Sequence, residues 1–370
     1  MMGNKRLALV VLGSLLAVPG ARAVDLGVFG DVGYRGSTEK YTADSFVQGQ
    51  FDLYAMQRID PKTKAFFELV VEADEHNNYG VDLERMYISR DITDNFNISL
   101  GRFHTPIGYW NTAYHHGALI QDTVLRPTFL NFEDGQGAIL PTHLIGAMGM
   151  GTFNSPIGAF SYGLMVGNSL SINTNGFRSA GYLGTSLDVP NVADLSDQKA
   201  FGGRVIWRPE SMPLEIGTFV LHDPVVESGG AADAAVPQVG SELIAMTVYG
   251  GHFRYATPRF DVLGETYNFV NDDKLGHTGT HDAAAYFIQF GYRVTDAVKL
   301  IYRLEDVDFV TADPYFQYLA TPEGSRHVVD LRYDIDDTNA LKFEVAQFEP
   351  VHSGVKSYTF YALQWAFLMF

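Results

Sequence analysis

Four of the chain's 11 histidines, His104, His115, His116 and His143, fall in the single stretch 104–143. Imidazole titrates near neutrality and is a common ligand of transition metals, so such a group suits a metal or proton-responsive site. The competing role is hydrogen bonding within a packed segment. His115 and His116 are adjacent, and in an extended chain neighbours point to opposite sides. The sequence is therefore read as packing, with no metal assigned. Arg102 and Arg126 flank the histidines, with Glu133 and Asp134 close by. Opposed cations and anions suit either two charged walls facing each other across water or salt bridges that anchor a segment. Catalysis finds less support. Serines and histidines are plentiful, but no G-x-S-x-G or comparable pairing of nucleophile and base stands out, and no catalytic residue is assigned. The chain has no cysteine, which excludes disulfides, thiolate metal sites, c-type haem attachment and a cysteine nucleophile. No cofactor is expected.

The elements that must position these residues are short and alternate in polarity. Val298, Leu300, Tyr302 and Leu304 fall on one face of a strand at 298–308, and Lys299, Arg303 and Glu305 on the other. Leu341, Phe343 and Val345 oppose Lys342 and Glu344 in the same way. Segments of this kind are separated alternately by tight turns such as Asp60-Pro61-Lys62-Thr63 and Thr257-Pro258-Arg259 and by longer polar loops. The expected strands are 24–35, 43–58, 64–74, 81–91, 96–105, 144–153, 159–168, 199–208, 214–223, 241–256, 260–270, 281–293, 298–308, 326–335, 339–348 and 355–370. The predicted fold is an all-β transmembrane antiparallel barrel of about sixteen strands with a long inward-folded loop. That loop is Pro106 to His143, too long to be a simple connection. Within the strand at 144–153, Gly146, Gly149 and Gly151 lack the following helix of a phosphate cradle and are read as admitting close packing of the loop on the wall. The acidic group Glu305, Asp306, Asp308 and Asp313 suits a divalent ion or a solvated loop face, and the second reading is taken.

Residues 1–23 read as a cleaved secretory signal: basic Lys5 and Arg6, the apolar run Leu7 to Leu16, then Ala21-Arg22-Ala23. Residues 24–370 would form one barrel domain. The leader carries three of the 26 basic residues and none of the 43 acidic ones, which leaves a net charge of −20 on the remainder. Such a polyanion has no electrostatic reason to bind nucleic acid. A mild cation preference is expected of any passage through it. The 37 Gly, 26 Phe and 20 Tyr are spread along the chain, the composition of a lipid-embedded barrel with aromatic girdles.

Gly101-Arg102-Phe103 with Pro106, Ile107 and Gly108, followed by Arg126-Pro127, resembles the corresponding region of the phosphate-selective porin family and its relatives. The final strand, Tyr358 to Phe370, resembles the terminal strand by which bacterial outer-membrane proteins are recognised by the barrel-assembly machinery, with Phe370 as the assembly signal. The resemblance implies a sixteen-stranded barrel, commonly a homotrimer, with an inward constriction loop. Arg102, His104, His115, His116, Arg126, Glu133, Asp134 and His143 are then the candidate constriction residues. The family's phosphate specificity depends on arrays of Arg and Lys along the pore. No such ladder stands out in this chain's loops, so that specificity is not carried over. The expected function is a water-filled channel for small hydrophilic solutes or ions in the cell outer membrane, with lipid and lipopolysaccharide as its surroundings. The alternatives are a barrel serving as scaffold or sheath for a partner such as an electron-transfer cytochrome, and an outer-membrane enzyme.

Overall fold

The computed structural model describes residues 24–369 apart from 40–42, 74–78, 116, 132–137, 175–186, 189–193, 230–237, 277, 320 and 352–355. The expected leader 1–23 and the candidate residues His116, Glu133, Asp134 and Phe370 lie outside the described residues. Sixteen long strands form the wall: β1 (Val24–Ser37), β2 (Ser45–Asp60), β3 (Thr63–Ala73), β4 (Tyr79–Thr93), β5 (Phe96–His104), β6 (His143–Ser155), β7 (Gly158–Asn168) and β8 (Lys199–Arg208) make its first half. The second half is β9 (Leu214–Glu227), β10 (Glu242–Ala256), β11 (Phe260–Asp273), β12 (Thr280–Arg293), β13 (Val298–Phe309), β14 (Gly324–Asp336), β15 (Asn339–Pro350) and β16 (Tyr358–Met369). Each pairs antiparallel with the next. β1 closes on β16 from Val28↔Met369 to Ser37↔Phe360. Closure satisfies the edge hydrogen bonds that an open sheet would leave to lipid.

Exposure decides which solvent the barrel faces. In β13 the apolar Leu300 and Tyr302 are 44% and 40% exposed, whereas Arg303 and Glu305 between and beside them are 0% and 1% exposed. In β15 Phe343 is exposed while Lys342 and Glu344 are buried. A water-soluble sandwich would show the reverse. Apolar side chains outside and charges inside are the pattern of a barrel set in lipid. β16 reads as almost wholly apolar, yet it alternates in size: Leu363 and Trp365 face out, while Ala362, Gln364 and Ala366 are buried.

Three readings change with the structure. β9 runs past the predicted end at 223 to Glu227, through Pro224. Its pairing with β8 stops at Phe201↔His222, so Pro224 sits where β9 is an edge on that side and a missing N–H is tolerated. The acidic group at 305–313 is not one solvated face. Glu305 is buried between Arg303 and Arg326, and Asp313 is buried against Asn271. Alternation along β13 sends Glu305 inward, and the chain beyond turns back over the barrel mouth as α2 (Pro314–Leu319). The glycines of β6 also serve the wall rather than the loop. A Cβ on Gly151 would meet the Tyr162 ring of β7, and one on Gly149 the Phe96 ring of β5.

Candidate functional site

The segment between β5 and β6 folds into the barrel. Its root is clasped by the Thr105 N–H donating to the Thr142 carbonyl at 2.9 Å. The Asn111 amide donates to both the Thr105 and Thr142 carbonyls, at 2.9 and 3.0 Å. A single helical turn, α1 (Trp110–Ala113), follows. Ile107, Trp110, Phe129, Leu130, Ile139 and Leu140 are each 0% exposed and pack with Phe219, Tyr267 and Phe287 of the wall. Complete burial of each such side chain contributes about 1.5–3 kcal/mol, part of what offsets the entropy of ordering the segment. Tyr315 of α2 donates its hydroxyl to the Ile139 carbonyl at 2.8 Å, tying the mouth to the segment.

A backbone buried inside a barrel needs partners for its N–H and C=O groups. The charged face of β11 to β15 supplies them. Glu265 accepts from the Trp110 N–H at 2.6 Å, and Glu305 from Thr128 N–H at 2.6 Å. Glu344 accepts from the Val124 and Leu125 N–H groups at 2.7 and 3.1 Å. Arg303 donates to the Thr123 hydroxyl and the Leu125 carbonyl, Arg332 to the Gln121 carbonyl, and Arg326 to the Arg126 carbonyl. Lys342 reaches the Ala118 and Thr123 carbonyls, and Lys299 pairs with Asp122 at 2.8 Å. A basic array therefore does line the interior of β13 to β15, although it is spent on holding the segment.

Beside this face, a cavity of about 290 Å³ remains between the segment and the wall of β16, β1, β2 and β3. Ala118, Gln121, Val124, Leu125, Arg126 and Asn131 line it from the segment, and Asp31, Arg35, Gln48, Gln50, Glu72 and Gln364 from the wall. Asp31 is set by a register shift. Gly30 pairs with Phe51 and Val32 with Gln48, so Asp31 faces the bulged pair Gly49-Gln50. Its carboxylate accepts the Gln50 N–H at 3.0 Å and the Gln364 amide at 2.9 Å. A Cβ on Gly49 would fall about on the Asp31 carboxylate, 2.0 Å from Oδ2, so only glycine leaves room for it. Gln50 also donates to Glu72 at 2.9 Å. Two oriented carboxylates and Arg35 thus line the cavity from the wall, and Arg126 lines it from the segment.

Of the candidate residues, Arg126 reaches the cavity and also donates to the His115 carbonyl at 3.1 Å. His104, His115 and His143 gather behind it, with ligating atoms all within 4.8 Å of one another. Arg102 is half-buried in the wall, its Nε donating to the Glu84 carbonyl at 2.8 Å, and is not among the residues lining the cavity. Asp31 and Glu72 escaped the sequence reading, although the polar alternation Gln48, Gln50, Asp52 in β2 marks that wall as inward-facing.

No model of a protein family matches the chain, and no curated protein matches it by sequence. Solved structures do match it in fold. The anion-selective porin from Comamonas acidovorans is 14% identical, with a TM-score of 0.58 over 94% of this chain and 99% of that one. The outer membrane channel DcaP of Acinetobacter baumannii is 12% identical, with a TM-score of 0.59 over 95% and 99%. OmpT of Vibrio cholerae, in a trimer form, is 11% identical, with a TM-score of 0.57 over 94% and 100%. Closure, strand number and these likenesses together establish the chain as a sixteen-stranded barrel with the fold of outer-membrane porins.

Proposed function

We propose that the chain is a porin, a passive channel for small hydrophilic solutes or ions across the outer membrane, constricted by residues 106–143. The observation that carries this reading is the polar cavity left between the inward segment and the wall, with Arg126 on the segment side and Asp31, Glu72 and Arg35 on the wall side. Opposed charges across a narrow aqueous slot orient water and select ions by field as well as by width. A sheath for a partner protein needs an open lumen, and the packed segment argues against it. The fold shared with solved outer-membrane porins supports the channel role, and the slot carries charges of both signs, Arg35 and Arg126 with Asp31 and Glu72. A homotrimer fits the fold, as one similar outer membrane protein takes a trimer form.

Deleting residues 112–138 tests the reading directly. In planar bilayers the deletion should raise single-channel conductance several-fold while the protein keeps its heat-modifiable mobility. An assembled deletion variant with unchanged conductance would remove the constriction from this segment.

A further inference from the structure

We infer that His104, His115 and His143 form a binding site for one divalent transition-metal ion, of which Zn²⁺ is the natural probe. The three residues come from three places: the end of β5, the inward segment and the first residue of β6. Their ring centroids lie 4.4 Å (104 to 115), 4.5 Å (115 to 143) and 5.0 Å (104 to 143) apart. Zinc holds imidazole nitrogens at about 2.0–2.1 Å, which places tetrahedral donors roughly 3.4 Å from one another. Donor atoms already within 4.8 Å need only small ring rotations to reach that spacing. Three nitrogen donors are a ligand set suited to zinc, copper or nickel rather than to calcium or magnesium.

An outer partner orients the His115 ring. The Asn111 amide is fixed, because its nitrogen donates to the Thr105 and Thr142 carbonyls. Its oxygen therefore faces His115 Nδ1, 2.7 Å away, and Nδ1 is the protonated nitrogen. That tautomer puts the lone pair of His115 on Nε2. Glu84 Oε2 lies 3.1 Å from His143 Nε2 and puts a carboxylate beside the cluster. An amide behind an imidazole, as Asn111 is behind His115, fixes the tautomer and orients the ring in metal centres. The nearest cation is Arg126, whose Nη2 is 3.3 Å from His115 Nδ1, on the ring edge away from Nε2. Glu84 is the nearby counter-charge.

An ion bound here would staple the inward segment to the ends of β5 and β6. It would also stiffen the backbone that carries Arg126. Metal binding itself does not depend on the channel reading, so the primary measurement is made without current.

Chelator-stripped, folded barrel would be titrated with Zn²⁺ by calorimetry, with bound metal counted after dialysis. One ion per chain is expected, with affinity in the micromolar range or tighter. His115→Gln should weaken it at least 100-fold, and Glu84→Gln by less, as the loss of a nearby counter-charge. No stoichiometric binding, or binding that His115→Gln leaves intact, overturns the site. Should that variant fail to assemble, zinc K-edge absorption on the unaltered protein decides. A shell of three imidazoles at about 2.0–2.1 Å supports the site, and a shell with one or none overturns it.

Discussion

In the proposed slot, Arg126, Asp31 and Glu72 are each held by neighbours rather than left to swing in water, and Arg35 lines the same wall as the carboxylates. Asp31 and Glu72 share Gln50, which donates its backbone N–H to one and its side-chain amide to the other. Arg126 is anchored through the His115 carbonyl. Fixed charges on opposite sides of a narrow passage bias ions without needing net charge in the pore. Arg126→Ala should therefore shift the reversal potential across a salt gradient toward cations. Asp31→Asn with Glu72→Gln should shift it the other way. Both variants keep the outer apolar face, so assembly should be unchanged. A reversal potential that neither substitution moves would place the selecting charges elsewhere.

Among the elements, the inward segment depends on β13 to β15 for its backbone partners, and those strands depend on it in return. Arg303, Lys342 and Glu344 are nearly or wholly inaccessible only because the segment covers them. Their charges are acceptable in that position because each meets a backbone or side-chain group of the segment. Glu344→Ala would strip the Val124 and Leu125 N–H groups of their acceptor. Each buried donor left unsatisfied costs about 1–3 kcal/mol. The lost acceptor also leaves Lys342 and Arg303 with one carboxylate fewer nearby. The expected result is a segment that detaches intermittently: noisier open-channel current and faster proteolysis within 112–138, with the barrel still resistant. Quiet current and unchanged cleavage would mean that hydrophobic packing of Trp110, Phe129 and Leu140 holds the segment alone.

For the whole molecule, closure is the event on which the rest depends. Before β16 pairs with β1, its exposed Leu363 and Trp365 make an apolar edge that would aggregate in water. The chain must therefore be delivered unfolded and closed at the membrane. Phe370, beyond the described residues, is proposed as the end of that signal. Removing it should lower the amount of heat-modifiable folded barrel in the outer membrane and raise periplasmic degradation. Normal yield of folded protein would detach Phe370 from assembly while leaving the barrel itself untouched. The closed wall also explains why a chain of net charge −20 after residue 23 can set charges at its centre. Lipid excludes them from the outer face, and the segment and water share the inner one.

The sequence by itself determined the class of fold, because period-two alternation and the strict succession of short and long connections are local properties of the chain. It also marked 106–143 as the segment with a job, since its aromatic and aliphatic content has no place in a water-exposed loop. Even the assignment of Lys299, Arg303 and Glu305 to one face of β13 was legible from spacing alone. Only the tertiary structure decided what those faces meet. The partnership of Glu344 with Val124 spans 220 positions, and that of Asp31 with Gln364 spans 333, distances over which periodicity carries no information. The bulge at Gly49-Gln50 that aims Asp31 is a one-residue slip, and such a slip exchanges inside for outside without altering composition. The three histidines are close in sequence, yet their convergence depends on Asn111 clasping both ends of the segment. Side-chain type and spacing set the wall. The contacts across the lumen, made only once the wall is closed, set the site.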